Sequence, residues 1–140
     1  MTTLGLVVAE FNRPITEQME NDALEAAQSA GAEVYDTVTV PGVYDAPLAA
    51  DRLARLEAVD AVAVIGTVIT GDTDHDQVIT DAAAQRLADV GLERDTPVTL
   101  GVTGPGMSAA ESRERVENAA KAVDGALDLV EALPDPDAEQ

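Results

Sequence analysis

Between Asp60 and Asp76 the chain reads D-A-V-A-V-I-G-T-V-I-T-G-D-T-D-H-D. Its opening, Ala61 to Ile65, is apolar at every position. An alternating strand is wet on one face, whereas an unbroken apolar run suits a strand covered on both, as in a parallel sheet clad by helices. Gly66 and Gly71 bracket Thr67-Val68-Ile69-Thr70, where the strand is expected to end and the chain to turn. Thr73 reads as the N-cap of the next helix, with Asp74 and Asp76 in a first turn whose dipole favours negative charge. His75, the only histidine, falls in that turn. A central strand thus delivers a hydroxyl, backbone N–H groups and an imidazole to one spot.

The flanking segments build the rest of such a sheet. Leu4 to Glu10 is a second apolar strand, and Pro14 opens a helix with an apolar stripe of Ile15, Met19, Ala23, Ala26 and Ala30, stopped by Gly31. Glu33 to Val40 interleaves apolar and polar residues, as an edge strand does. Pro41-Gly42 then turns the chain, and Asp45 is placed to cap a helix with Pro47 in its first turn and Ala49, Leu53 and Leu56 on its apolar face. After the organising strand, Val78, Ile79, Ala82, Leu87 and Val90 mark a helix closed by Gly91. Pro97 to Val102 is a fourth strand, Thr103-Gly104-Pro105-Gly106 a turn, and Ser108 with Glu111 a capping box. A long final helix is expected through Val116, Ala119, Ala120, Val123, Leu127 and Val130 to Leu133, with Gly125 a candidate bend.

Strands alternating with helices mean right-handed βαβ units and a parallel sheet with helices on both faces. The alternating pattern of the second strand suggests the order 2-1-3-4. The topological switch then lies between the first and third strands, and ligands bind at their carboxyl ends. Phe11-Asn12 and Gly66 to His75 converge there.

The chain carries 27 acidic against 8 basic residues, net −19, and seven of the eight are arginine. Such a surface disfavours nucleic acid. Acid this dense accompanies disorder when apolar content is low, but here 46% of residues are apolar and periodic. The expectation is a folded protein of a high-salt cytoplasm, where the charge is screened. Cysteine is absent, which excludes disulfides and thiolate metal sites. We expect no signal peptide and no bilayer span, hence a cytoplasmic location and no membrane partner. Residues 1–133 read as one domain and 134–140 as an acidic disordered tail.

Few residue types here can do chemistry. Phe11, the only phenylalanine, either offers a platform for a flat ring or caps the core. His75 shares a helical side with Val78 and Ile79, so it is either a core histidine or, at a switch point, a group for proton transfer near neutral pH. Asp72, Asp74 and Asp76 have the oxygens for a hard cation, but one histidine and no cysteine make a metal site poorly supported. Thr103 to Ser108 resembles an anion-binding turn at a helix start, although it lacks the lysine of a Walker motif. Arg113 and Arg115 follow, either to serve that anion site or to pair with Glu111 and Glu117.

Taken together, A-E-F-N at 9–12, V-P-G-V-Y-D-A-P at 40–47, G-T-V-I-T-G-D-T-D-H at 66–75, G-V-T-G-P-G-M-S at 101–108 and E-R-V at 114–116 resemble the 6,7-dimethyl-8-ribityllumazine synthases, the last two stretches their archaeal branch. The resemblance implies a flavodoxin-like three-layer sandwich. It also implies a cofactor-free condensation of 5-amino-6-(D-ribitylamino)uracil with 3,4-dihydroxy-2-butanone 4-phosphate, in a homopentamer or a larger shell. By matching position, Phe11 stacks on the uracil with Asn12 beside it. Val43, Tyr44 and Asp45 contact the ribityl side, and Thr67, Val68 and Ile69 line the pyrimidine pocket. The Asp72-Thr73 amides hold the phosphate with Arg115, for which Arg113 is the alternative, and His75 moves protons. Leu100 stands where many members carry phenylalanine, Asp72 replaces a small neutral residue, and Lys121 is out of register with the bacterial lysine. Two other classes stay open: the related archaeal riboflavin synthase, not expected to keep G-D-T-D-H, and a non-catalytic flavin or nucleotide binder.

Overall fold

The computed structural model describes residues 1–70 and 75–137. Four parallel strands, β1 (Thr3–Ala9), β2 (Glu33–Val40), β3 (Ala61–Ile69) and β4 (Val98–Met107), form one sheet in the order β2-β1-β3-β4. The expected α/β architecture and strand order are therefore observed. Helices α1 (Arg13–Ser29) and α5 (Asn118–Ala132) cover one face, and α2 (Ala46–Ala54) and α3 (His75–Arg94) the other. A short helix, α4 (Ala109–Arg113), follows β4.

The two faces separate by strand parity. Ala61, Ala63 and Ile65 of β3 pack with Ile15, Met19 and Val123, whereas Val62 and Val64 pack with Leu53, Leu87 and Val90. Residues 61–65 are all 0% exposed, as an apolar run covered on both sides must be. Each buried valine or isoleucine there contributes about 1.5–3 kcal/mol. β2 is the outer strand beside β1, with a largely exposed burial pattern.

β3 ends at Ile69, within the expected Thr67 to Thr70 stretch, with β4 paired alongside it through Thr67↔Thr103 and Ile69↔Met107. Other expected boundaries move. Residues 103–106 belong to β4 rather than forming a terminating turn; left-handed Gly104 (φ 96) and Gly106 (φ 79) let that strand bow past the end of β3. α3 passes through Gly91 to Arg94, and the left-handed residue ending it is Asp95 (φ 53), with the Thr96 N–H donating to the Gly91 carbonyl. The long last helix is two helices separated by residues 114–117. Asp45 does not cap α2 with its side chain; Asp45 Oδ2 accepts from the Gly42 N–H at 3.1 Å and closes a 3-10 turn, Val43–Asp45. The capping box of Ser108 and Glu111 is present, with both bonds at 3.2 Å. Among the described residues, no helix is long and apolar enough to cross a membrane.

Candidate active site

At the carboxyl ends of β1 and β3 lies a cleft of about 570 Å³, lined by Phe11, Pro41 to Asp45, Thr67, Val68, Ile69, His75, Asp76 and Ile79. Its position follows from the strand order, since the crossovers of β1 and β3 leave in opposite directions and the crevice opens between them. The Glu10 and Phe11 N–H groups donate to the Val40 and Pro41 carbonyls at 2.8 and 3.1 Å, which ties the end of β1 to the turn that follows β2. Asn12 then takes a left-handed conformation (φ 60) as the chain enters α1.

Phe11 is 57% exposed and Tyr44 is 68% exposed, so both rings stand open at the cleft instead of completing the core. That sets aside the core-capping reading of Phe11, whose ring is open at the cleft. His75 is also exposed and lines the cleft at the start of α3. The expected sharing of a buried side with Val78 does not hold, since Val78 is 63% exposed and α3 turns Asp76, Ala83, Leu87 and Val90 inward. At the floor of the β3 end, the hydroxyls of Thr67 and Thr103 meet at 2.6 Å, both buried. Thr103 donates and Thr67 accepts, so each buried hydroxyl has the other as a partner.

The structure thus brings together Phe11, Val43, Tyr44, Asp45, Thr67, Val68, Ile69 and His75. Asn12, Leu100 and Arg115 do not line this cleft. Asn12 is adjacent to it, and its buried Nδ2 has no hydrogen-bond partner among the described residues. Leu100 is 43% exposed on β4, and Arg113 and Arg115 are exposed around the end of α4. Neither arginine forms an ion pair among the described residues, so the pairing with Glu111 and Glu117 is not observed. Asp72, Thr73 and Asp74 lie outside the described residues. No lysine or arginine lines the cleft among the described residues, and no group of three or more potential metal ligands occurs among them. Sequence reasoning missed Pro41, Gly42, Asp76 and Ile79 as lining residues. The signal for Asp76 was its place in the first turn of α3, beside the histidine.

Comparison with known proteins matches residues 1–134 to the family model of 6,7-dimethyl-8-ribityllumazine synthase. The chain belongs to the 6,7-dimethyl-8-ribityllumazine synthase family. A family member of Halobacterium salinarum is 65% identical, over 95% of this chain and all of its own length. One of Halorubrum lacusprofundi is 59% identical over 95% of this chain and 99% of its own, and one of Methanocaldococcus jannaschii 47% over 95% and 94%. All three carry the name 6,7-dimethyl-8-ribityllumazine synthase. The relation spans the whole described fold, so it covers every lumazine synthase motif from A-E-F-N to E-R-V.

Proposed function

We infer that this cleft condenses 5-amino-6-(D-ribitylamino)uracil with 3,4-dihydroxy-2-butanone 4-phosphate to 6,7-dimethyl-8-ribityllumazine, releasing phosphate and water. The observation that carries the reading is the meeting, in one cleft, of an exposed ring, the Pro41 to Asp45 turn with its tyrosine and carboxylate, a strand end and the only histidine. The pyrimidine stacks on Phe11 against Val68 and Ile69, and the ribityl chain runs toward the Val43–Asp45 turn. The amine attacks the ketone, and His75 at the mouth carries protons between the amine, the departing water and the phosphate. The 72–73 amides and an arginine hold the phosphate.

The site is completed between copies. A phosphate anion is favoured by a cation, and none lines the cleft among the described residues; Arg52, Arg86, Arg113 and Arg115 form no ion pair among them, Arg86 lining the neighbouring hollow with Tyr44 and Asp45. Phe11 and Tyr44 are each more than half exposed in the cleft, as are Leu48 on α2 and Val78 on α3. Such a rim is suited to burial against a neighbour. A homo-oligomer, pentameric or larger, would place Arg115 and Leu100 of one copy against the cleft of the next.

The test is to mix the purified chain with both precursors in molar salt and follow the absorbance of the lumazine. The expected result is product only when both precursors are present. Conversion of lumazine to riboflavin, or binding of flavin with no turnover, would instead support one of the two other classes.

A further inference from the structure

Tyr44 and Asp45 line a second hollow, of about 520 Å³, as well as the cleft, so the two adjoin at the 3-10 turn. Pro47 and Leu48 of α2 form one wall of this hollow, and Ala82, Ala83 and Arg86 of α3 another. Residues three and four apart share a helix face, so the two alanines and Arg86 form one patch. Helical side chains lean toward the preceding turn, and the alanines there are too small to fill it. Arg86 is exposed and forms no ion pair among the described residues. Asp45 lines the same hollow without pairing with it; its Oδ2 accepts from the Gly42 N–H at 3.1 Å. The hollow thus carries a group that only donates, a group that only accepts and, on Tyr44, a phenol that does both.

That set matches a chain of hydroxyls. A hydroxyl can accept from the guanidinium while donating to the carboxylate, so a polyol satisfies both walls. A phosphate would use Arg86 but would meet the Asp45 charge in the same space. We propose that Arg86 extends the substrate site: it holds the outer hydroxyls of the ribityl chain and sets the preference for a long polyol over a truncated one. This rests on the reading of the cleft given above, in which the chain runs to the Val43–Asp45 turn, and the hollow is where it continues.

The test uses two uracils that lack the attacking 5-amine: 6-(D-ribitylamino)uracil and 6-(methylamino)uracil. Their dissociation constants are measured by calorimetry on wild type, Arg86→Ala and Arg86→Lys in molar salt. Arg86→Ala should weaken the ribityl compound about tenfold, the lower end for a hydrogen bond to a charged group because Arg86 is exposed. The methyl compound should stay within about twofold. Arg86→Lys, which keeps the charge and loses the planar fork, should fall between wild type and Arg86→Ala for the ribityl compound. In turnover, KM for the ribitylaminouracil substrate should rise by the same factor with kcat kept, as for a contact equal in ground and transition states. The inhibition constant of inorganic phosphate should not move. Equal weakening of the two uracils, or no weakening of the ribityl one, would overturn the proposal. A raised phosphate constant in Arg86→Ala would overturn it too, by giving the hollow to an anion. If wild type makes lumazine and Arg86→Ala does so with unchanged KM, only the role of Arg86 falls. Wild-type chain that makes no lumazine overturns the reading of the cleft as well.

Discussion

Replacing Gly66 by alanine perturbs the core and the cleft together. A Cβ added there would lie 2.8 Å from Ala9 Cβ and 3.0 Å from Val43 Cγ2. Carbon atoms in contact prefer about 3.5–4.0 Å, so the new methyl is well inside the repulsive wall on two sides. Ala9 ends β1, and Val43 begins the 3-10 turn at the cleft, so relief requires backbone movement rather than a rotamer change. Overpacking of this kind costs about 1–3 kcal/mol. For a domain of this size that lowers Tm by about 3–5 °C per kcal/mol. Gly125→Ala is the matched control of opposite sign. Within α5 an added Cβ meets only Thr99 Cγ2, at 3.9 Å, so the change should stabilise by about 0.5–1 kcal/mol. Calorimetry of both variants in molar salt, at one protein concentration, reads the two signs. KM for the uracil substrate should rise several-fold in Gly66→Ala through the displaced Val43 turn and stay unchanged in Gly125→Ala. A Gly66→Ala protein as stable as wild type, with unchanged KM, would refute the reasoning.

The fold should strengthen with salt, since a net charge of −19 repels itself across a Debye length of about 10 Å at 0.1 M that shrinks to about 3 Å at 1 M; a Tm equal in 0.1 M and 2 M KCl would contradict this. His75→Ala should lower kcat, by up to about 10²–10⁴-fold and toward the shallow end if the uncatalysed condensation is fast, with KM values largely kept. Arg115→Ala should chiefly raise KM for the phosphorylated ketone, and Arg113→Ala showing that defect instead would move the phosphate contact by two residues. On α2, Asp51 bonds the Arg94 guanidinium of α3 at 2.7 Å, which holds its carboxyl below the ordinary 3.8. That pair's stabilisation is present above the ordinary value and lost as pH falls through the depressed one, so Asp51→Asn should flatten the acid limb of a stability–pH curve below 3.8.

What the sequence showed and what it hid divide along a physical line. Strand order was legible because β2 carries an alternating pattern and residues 61–65 an unbroken apolar one, and each is a local record of how many faces are covered. The start of α1 at Pro14, its stop at left-handed Gly31 and the Ser108 capping box are likewise local chemistry. The reach of β4 was not legible: Thr67 and Thr103 are 36 residues apart, and their pairing, with that of Ile69 and Met107, carries β4 past Val102. The orientation of α3 was misread for the same reason. A carboxylate can face inward only where a donor waits, and the donor for Asp76 is a backbone amide 30 residues away. Phe11 and His75 were placed correctly in the crevice, because strand order alone puts them there.

The most direct measurement is a crystal structure of the protein soaked, in high salt, with the ribitylaminouracil substrate and inorganic phosphate. The account predicts a pyrimidine ring stacked on Phe11, with its ribityl chain along Val43 to Asp45. It further predicts phosphate within hydrogen-bond distance of the 72–73 amides and of an arginine from the adjoining copy. A pyrimidine bound away from the β1–β3 crevice, or a phosphate held with no second copy near it, would contradict it.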